Sequence, residues 1–142
     1  MNVTLFKMLN ANKLYPSKSY LNDSGYTIYL PRDIYLEPNS VRSYKLDVAI
    51  NWSFDLKDIA VISFPKMVSE LYGKVFLASS KVDQGYEGSI FFTVHNATDE
   101  IIKLEKGIPV MEVLFVKLYE HTDMTNILKD GVRGKSTNNM IK

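Results

Sequence analysis

The sequence predicts an all-β domain, and three observations carry that expectation. Apolar and polar residues alternate with period two in several stretches, most clearly from Ser89 to His95 and from Ser43 to Ile50. Turn clusters rich in Gly, Asn, Asp, Ser and Pro recur at intervals of roughly eight to twelve residues, the spacing of short strands in a sandwich or barrel. The length, 142 residues with 46% hydrophobic side chains, suits one domain with a real core.

The elements follow in order. Residues 3–9 are apolar, and Asn10-Ala11-Asn12 and Pro16 stop them early enough to make a strand. The cluster Asn22-Asp23-Ser24-Gly25 is a turn, and the strand after it places Tyr26, Ile28 and Leu30 on one face. Glu37-Pro38-Asn39-Ser40 is a second turn. Tyr44, Leu46, Val48 and Ile50 then alternate with Ser43, Lys45, Asp47 and Ala49, which predicts one half-buried strand. Trp52, the only tryptophan, is expected to cap the edge of the core, with 51–57 a loop. Residues 59–64 form a short apolar run suited to a buried strand.

Residues 79–96, S-S-K-V-D-Q-G-Y-E-G-S-I-F-F-T-V-H-N, are the centre of the chain. Asp83-Gln84-Gly85-Tyr86-Glu87-Gly88 has the chemistry of a tight turn, with two glycines offering backbone freedom. Ile90, Phe92 and Val94 then occupy one strand face, and Ser89, Phe91, Thr93 and His95 the other. Asp83 and Tyr86 thus fall at a strand mouth, where a carboxylate can meet water or a ligand. On spacing alone, the plain reading is a hairpin carrying a solvated aspartate. Residues 96–100 form a polar turn, 101–104 a strand, Lys106-Gly107 a turn, and 110–118 the last long strand, apolar on both faces. Residues 124–142 are polar and basic, so the chain divides into a β domain at 1–123 and a C-terminal arm at 124–142.

Composition excludes several classes. The net charge of +1, without a Lys/Arg block, gives no field for specific nucleic-acid binding. The absence of cysteine rules out disulfides and thiol chemistry, and two distant histidines make no zinc set. No apolar run has the length of a membrane span, so a soluble protein without a membrane partner is expected. Lysine far outnumbers arginine and asparagine is frequent, which suits an AT-rich coding source such as a bacterium or its phage.

The segment V-D-Q-G-Y-E-G resembles the signature of the dUTP pyrophosphatase (dUTPase) and dCTP deaminase superfamily, V-I-D-x-x-Y-R-G in the first branch and I-D-P-G-W-E-G in the second. D-S-G-Y-T-I-Y-L resembles the first motif, S-A-G-Y-D-L-Y. Pro65-Lys66-Met67-Val68 stands where the second motif has P-R-S-G, and K-G-I-P-V-M-E-V-L-F where the fourth has G-D-R-I-A-Q-L-I. Val132-Arg133-Gly134-Lys135-Ser136-Thr137 resembles the last motif only faintly, without its stacking Phe and most of its glycines. It is not a Walker loop either, since the required first glycine is missing.

The resemblance implies a distorted barrel or jelly roll that assembles as a homotrimer with sites shared between subunits, the strand 110–118 lying on the subunit axis. It implies that Asp83, if the site is active, activates the attacking water. It assigns nucleotide contacts to Tyr86, Lys66, Ser69 and Gly88, and a helical turn to residues 68–71. The chain departs from the family at Thr27 for Asp, Met67 for Ser and Glu112 for Gln. Each change weakens the magnesium-triphosphate end; at Thr27, a neutral hydroxyl does not offer a hard cation a carboxylate's charge. The deaminase branch is excluded by Thr93, which stands where that branch carries its catalytic Glu.

The resulting expectation is a catalytically degenerate dUTPase-fold trimer with a structural or assembly role, cytoplasmic or in a virion, with virion or assembly proteins as partners. The alternatives are an active dUTP pyrophosphatase and a nucleotide-binding regulatory trimer. No cofactor or protein-bound metal is expected, apart from magnesium accompanying a nucleotide if the enzyme is active. The arm is expected to dock on a protein surface through Arg133 and Lys135, with Met140 and Ile141 as apolar anchors.

Overall fold

A computed structural model describes residues 5–53, 58–66, 71 and 73–118. The expected helical turn at 68–71, Ser69, and the whole arm with Arg133, Lys135, Met140 and Ile141 lie outside the described residues, apart from Leu71.

The described chain is all-β, as its alternation requires. Eleven strands are described: β1 (Phe6–Met8), β2 (Tyr26–Tyr29), β3 (Ile34–Leu36), β4 (Ser40–Lys45), β5 (Val48–Ile50), β6 (Ile59–Pro65), β7 (Val75–Leu77), β8 (Ser80–Val82), β9 (Phe91–Asn96), β10 (Ile102–Leu104) and β11 (Pro109–Lys117). They pair antiparallel in four sheets, β1-β5, β10-β3, β2-β11-β6-β8 and β4-β9-β7. Connections thus pass repeatedly from one sheet to another, as in a jelly roll.

The core lies between the sheets. Ile28, Leu30, Leu46, Val48, Val61, Met111 and Val113 are fully buried, and Phe92 is the largest side chain in this interior. Burying side chains of this kind contributes roughly 1.5–3 kcal/mol each before chain entropy is set against it. Phe6, Tyr26 and Phe115 close one edge with ring centroids 5.4–5.9 Å apart, edge to face. Trp52 covers another edge, as its single occurrence suggested.

Three expectations change in detail. The strand foreseen at 43–50 is two strands, because Asp47 takes φ 57°, a left-handed conformation that interrupts a ladder. The hairpin at Asp83 is not a hairpin: β8 pairs with β6, whereas β9 pairs with β4 and β7. The turn therefore carries the chain from one sheet to the other. Ser89, expected on the face opposite Ile90, Phe92 and Val94, is buried like them.

Candidate functional site

The central turn starts where β8 ends. Tyr86 N–H donates to the Asp83 carbonyl at 3.0 Å, and Gly85 takes φ 85°. A positive φ at the third position defines a type II turn, which a side chain there would strain. Gly88 plays a different part from the one its residue type suggested. It does not adopt a positive φ; it is needed for space, because a Cβ there would lie 2.6 Å from Tyr86 Oη and 2.8 Å from Cζ.

Tyr86 is held from two sides. Its hydroxyl donates to the Ser89 carbonyl at 2.9 Å, and its own carbonyl accepts Trp52 Nε1–H at 2.7 Å. Ser89 Oγ accepts the Asp47 N–H at 2.9 Å and donates to the Ile90 carbonyl at 2.7 Å. The turn is thereby fastened to the break between β4 and β5.

Asp83 is exposed at the mouth of β8. Lys81 Nζ donates to Asp83 Oδ1 at 2.5 Å, with 74% and 45% of the two side chains exposed. So exposed a pair contributes little to stability. What the pair does is place an ammonium beside the carboxylate. Lys81, Val82, Asp83, Tyr86, Ile90 and Phe91 line a pocket of about 160 Å³, the liquid volume of about five waters. One wall is apolar and one is charged, and the volume lies below the roughly 300–1,000 Å³ of most small-molecule sites.

Two of the three altered motif positions, Thr27 and Glu112, come together on neighbouring strands of the sheet whose edge is β8. Glu112 on β11 lies directly opposite Thr27 on β2 and Phe64 on β6. Lys66 Nζ, just past β6, donates to Thr27 Oγ1 at 2.9 Å. The third altered position, Met67, lies outside the described residues. The sequence placed Thr27, Lys66 and Glu112 in separate motifs, and the fold makes them neighbours. Thr27 is buried and Glu112 half-buried. Gly25 lets β2 approach this row, since a Cβ on it would meet Glu112 Cγ at 2.6 Å and Leu114 Cδ1 at 2.7 Å. By themselves Thr27, Lys66 and Glu112 make a poor fit for a magnesium-triphosphate group, which calls for several hard oxygen ligands or several cations, and residues 67–70, next to Lys66, lie outside the described residues. Among the described residues, no group of three or more His, Asp or Glu side chains could hold a metal ion.

The sequence profile of the dUTPase family matches residues 11–138, nearly the whole chain. The chain belongs to the dUTPase family. Among solved structures, it is similar to Staphylococcus bacteriophage 80alpha dUTPase with dUpNHpp, at 19% identity and a TM-score of 0.69 over 95% of each chain. It is also similar to a variant dUTPase from phage phi11 of S. aureus that coordinates a structural Mg(II) ion. There the identity is 18% and the TM-score 0.70, over 92% of this chain and 97% of that one. No curated protein compared with the sequence matches it. The motif segment that resembles the family most lies at the Asp83–Tyr86 turn, and the described departures from its motifs lie in the Thr27–Lys66–Glu112 row.

The sequence reading missed Asp47. It is buried, ion-paired with Arg32, and accepts Asn10 Nδ2–H at 2.9 Å. A signal was present: with Ala49 apolar, the alternation fails on the supposed polar face just after Asp47.

Proposed function

We propose that this dUTPase-family chain forms a trimer that retains the nucleoside end of the family's site, has lost most of its hydrolytic chemistry, and acts by binding. The observation that carries this is the row around Glu112. Its one cation among the described residues, Lys66, is bonded to Thr27, and a carboxylate occupies the third position. A triphosphate brought to that row meets repulsion from Glu112 and one lysine in place of a bidentate arginine. Every charge-assisted hydrogen bond missing from the row withholds roughly 1.5–3 kcal/mol, and phosphoryl chemistry rests almost entirely on such bonds. At the other end Asp83, Lys81 and Tyr86 keep a formed pocket. Acting by binding fits an assembly or regulatory role, with the partner a virion or other assembly protein and the arm 124–142 as the docking segment. Phage 80alpha dUTPases have been described as controlling transfer of virulence genes by a G protein-like mechanism, which is a regulatory use of the same fold.

The second reading is an active dUTP pyrophosphatase, favoured by the lysine-held Asp83 at the pocket mouth. In that case Asp83 takes the proton of the attacking water as dUTP is split into dUMP and pyrophosphate. One experiment separates the readings: dUTP hydrolysis with and without magnesium, alongside calorimetric binding of a non-hydrolysable dUTP analogue. Binding without turnover supports the proposal. Turnover of about 1 per second or more, abolished by Asp83→Asn, establishes the second reading.

A further inference from the structure

A second cleft, sharing no lining residue with the Asp83 pocket, has the composition of an anion site. It measures about 480 Å³, within the range of small-molecule sites. Asn10, Asn12, Lys13, Arg32, Asp47 and Lys106 are among its walls, and an adjoining recess adds Lys45. Four basic residues, Lys13, Arg32, Lys45 and Lys106, thus stand around the buried Asp47 carboxylate, in a chain whose net charge is only +1.

The carboxylate is already engaged. Asp47 binds Arg32 through Oδ2 and Asn10 through Oδ1, and it is 4% exposed. Arg32 also donates to the Lys45 carbonyl at 3.3 Å. These two bonds use two of the five guanidinium donors, and 43% of the side chain remains exposed. Asp47 thus holds Arg32 in place while cancelling only one of the four charges. On the rim, the Asp33 carboxylate accepts the Lys106 N–H and lies 3.7 Å from Lys103 Nζ.

The wall is built at a conformational cost. Asn10 and Ala11 are consecutive left-handed residues, φ 50° and 60°, and Asp47 is a third. The loop is fastened to the β4–β5 break by Leu9 N–H to the Asp47 carbonyl at 3.0 Å and by Asn12 Nδ2 to the Leu46 and Asp47 carbonyls at 3.3 Å. Backbone in sparsely populated conformations, held by its surroundings, gathers at ligand-binding places.

We propose that the cleft bounded by Asn10, Lys13, Arg32, Lys45 and Lys106 binds a small oligophosphate. A concave site with several converging cations fits a compact polyanion of two or more charges. An extended nucleic-acid backbone needs a basic stripe, which this nearly neutral chain does not supply.

The test is titration of the full chain with pyrophosphate, without magnesium, followed by amide and Arg Nε–H NMR shifts. The largest shifts are expected at Asn10, Asn12, Arg32 and Lys106, exceeding any at residues 83–88, which reach the cleft only through the Ser89–Asp47 bond. Arg32→Gln strands the buried Asp47 and is a poor probe of binding. The exposed pair Lys13→Gln/Lys106→Gln leaves the fold intact and should raise the pyrophosphate Kd at least about tenfold. Titrations with dUMP and dUTP identify the recognised part. Similar Kd values for pyrophosphate and dUTP at the cleft support recognition of the oligophosphate itself. Cleft shifts with dUTP and none with pyrophosphate overturn it. So do an unchanged Kd in the double variant, shifts confined to residues 83–88 and Lys66, or no shift at about 10 mM pyrophosphate, where binding would be weaker than about −3 kcal/mol.

Discussion

Gly88 and Asp47 show two ways in which one residue type can be dictated by its surroundings. At Gly88 the constraint is the Tyr86 ring, which fills the space of a side chain. Gly88→Ala should push Tyr86 off its bond to the Ser89 carbonyl, costing about 1–3 kcal/mol by overpacking and weakening nucleotide binding. Trp52 reports on it, since its indole N–H bonds the Tyr86 carbonyl, and unchanged fluorescence with unchanged urea stability would count against the account. At Asp47 the constraint is conformational as well as electrostatic. Asp47→Gly and Asp47→Ala remove the same bonds, but only glycine takes φ 57° without strain. The glycine variant should be more stable than the alanine variant by about 1 kcal/mol, and equal urea midpoints would show that the left-handed backbone relaxes freely. The roles of these residues differ in how legible they were. Asp83 and Tyr86 could be paired from the sequence because a short motif holds both within one turn. Asp47 and Arg32 are fifteen residues apart, and no local pattern marks an ion pair formed across a break between strands.

Among the elements, β11 accounts for much of what the sequence conveyed and for one thing it concealed. Its apolar character on both faces was plain, and its bounds moved by only a residue. The identity of each face was not plain, because alternation within an apolar run does not say which set faces inward. The pairing supplies that information. Met111 and Val113 are fully buried within the single chain, whereas Leu114 is partly covered and Val116 is 39% exposed. Val113→Asp should therefore unfold the chain itself, at a cost of several kcal/mol for an unpaired buried carboxylate, with loss of the β circular dichroism signal at any protein concentration. A folded Val113→Asp monomer would show that this residue faces a neighbour instead. The turn at Asp83 is the complementary case. Its residues were read correctly as a turn followed by a strand, but sheet membership is a long-range property, and β8 and β9 found different partners.

For the molecule as a whole, the outer face of β6 and β11 decides whether the proposed trimer is consistent with the chain's own surface. Cross-strand partners share a face, so Leu114 with Ile62 and Glu112 with Phe64 lie on the side opposite Met111 and Val113. Val116 continues that row. Phe64 is 40% exposed, and Ile62 and Leu114 remain only partly covered. An apolar strip of this kind, ending in one carboxylate, is what a subunit axis would cover, and leaving it in water favours association. Light scattering should give about three times the 16.2 kDa chain mass. The double variant Phe64→Ser/Val116→Glu removes apolar area and brings an added carboxylate from every subunit to the axis, where like charges in a dry interface repel strongly. Neither side chain belongs to the buried core, so the variant should keep the β circular dichroism signal and sediment at the mass of one chain. If the unmodified protein is already a monomer at micromolar concentration, or if the double variant still sediments as a trimer, then this strip is not the subunit axis.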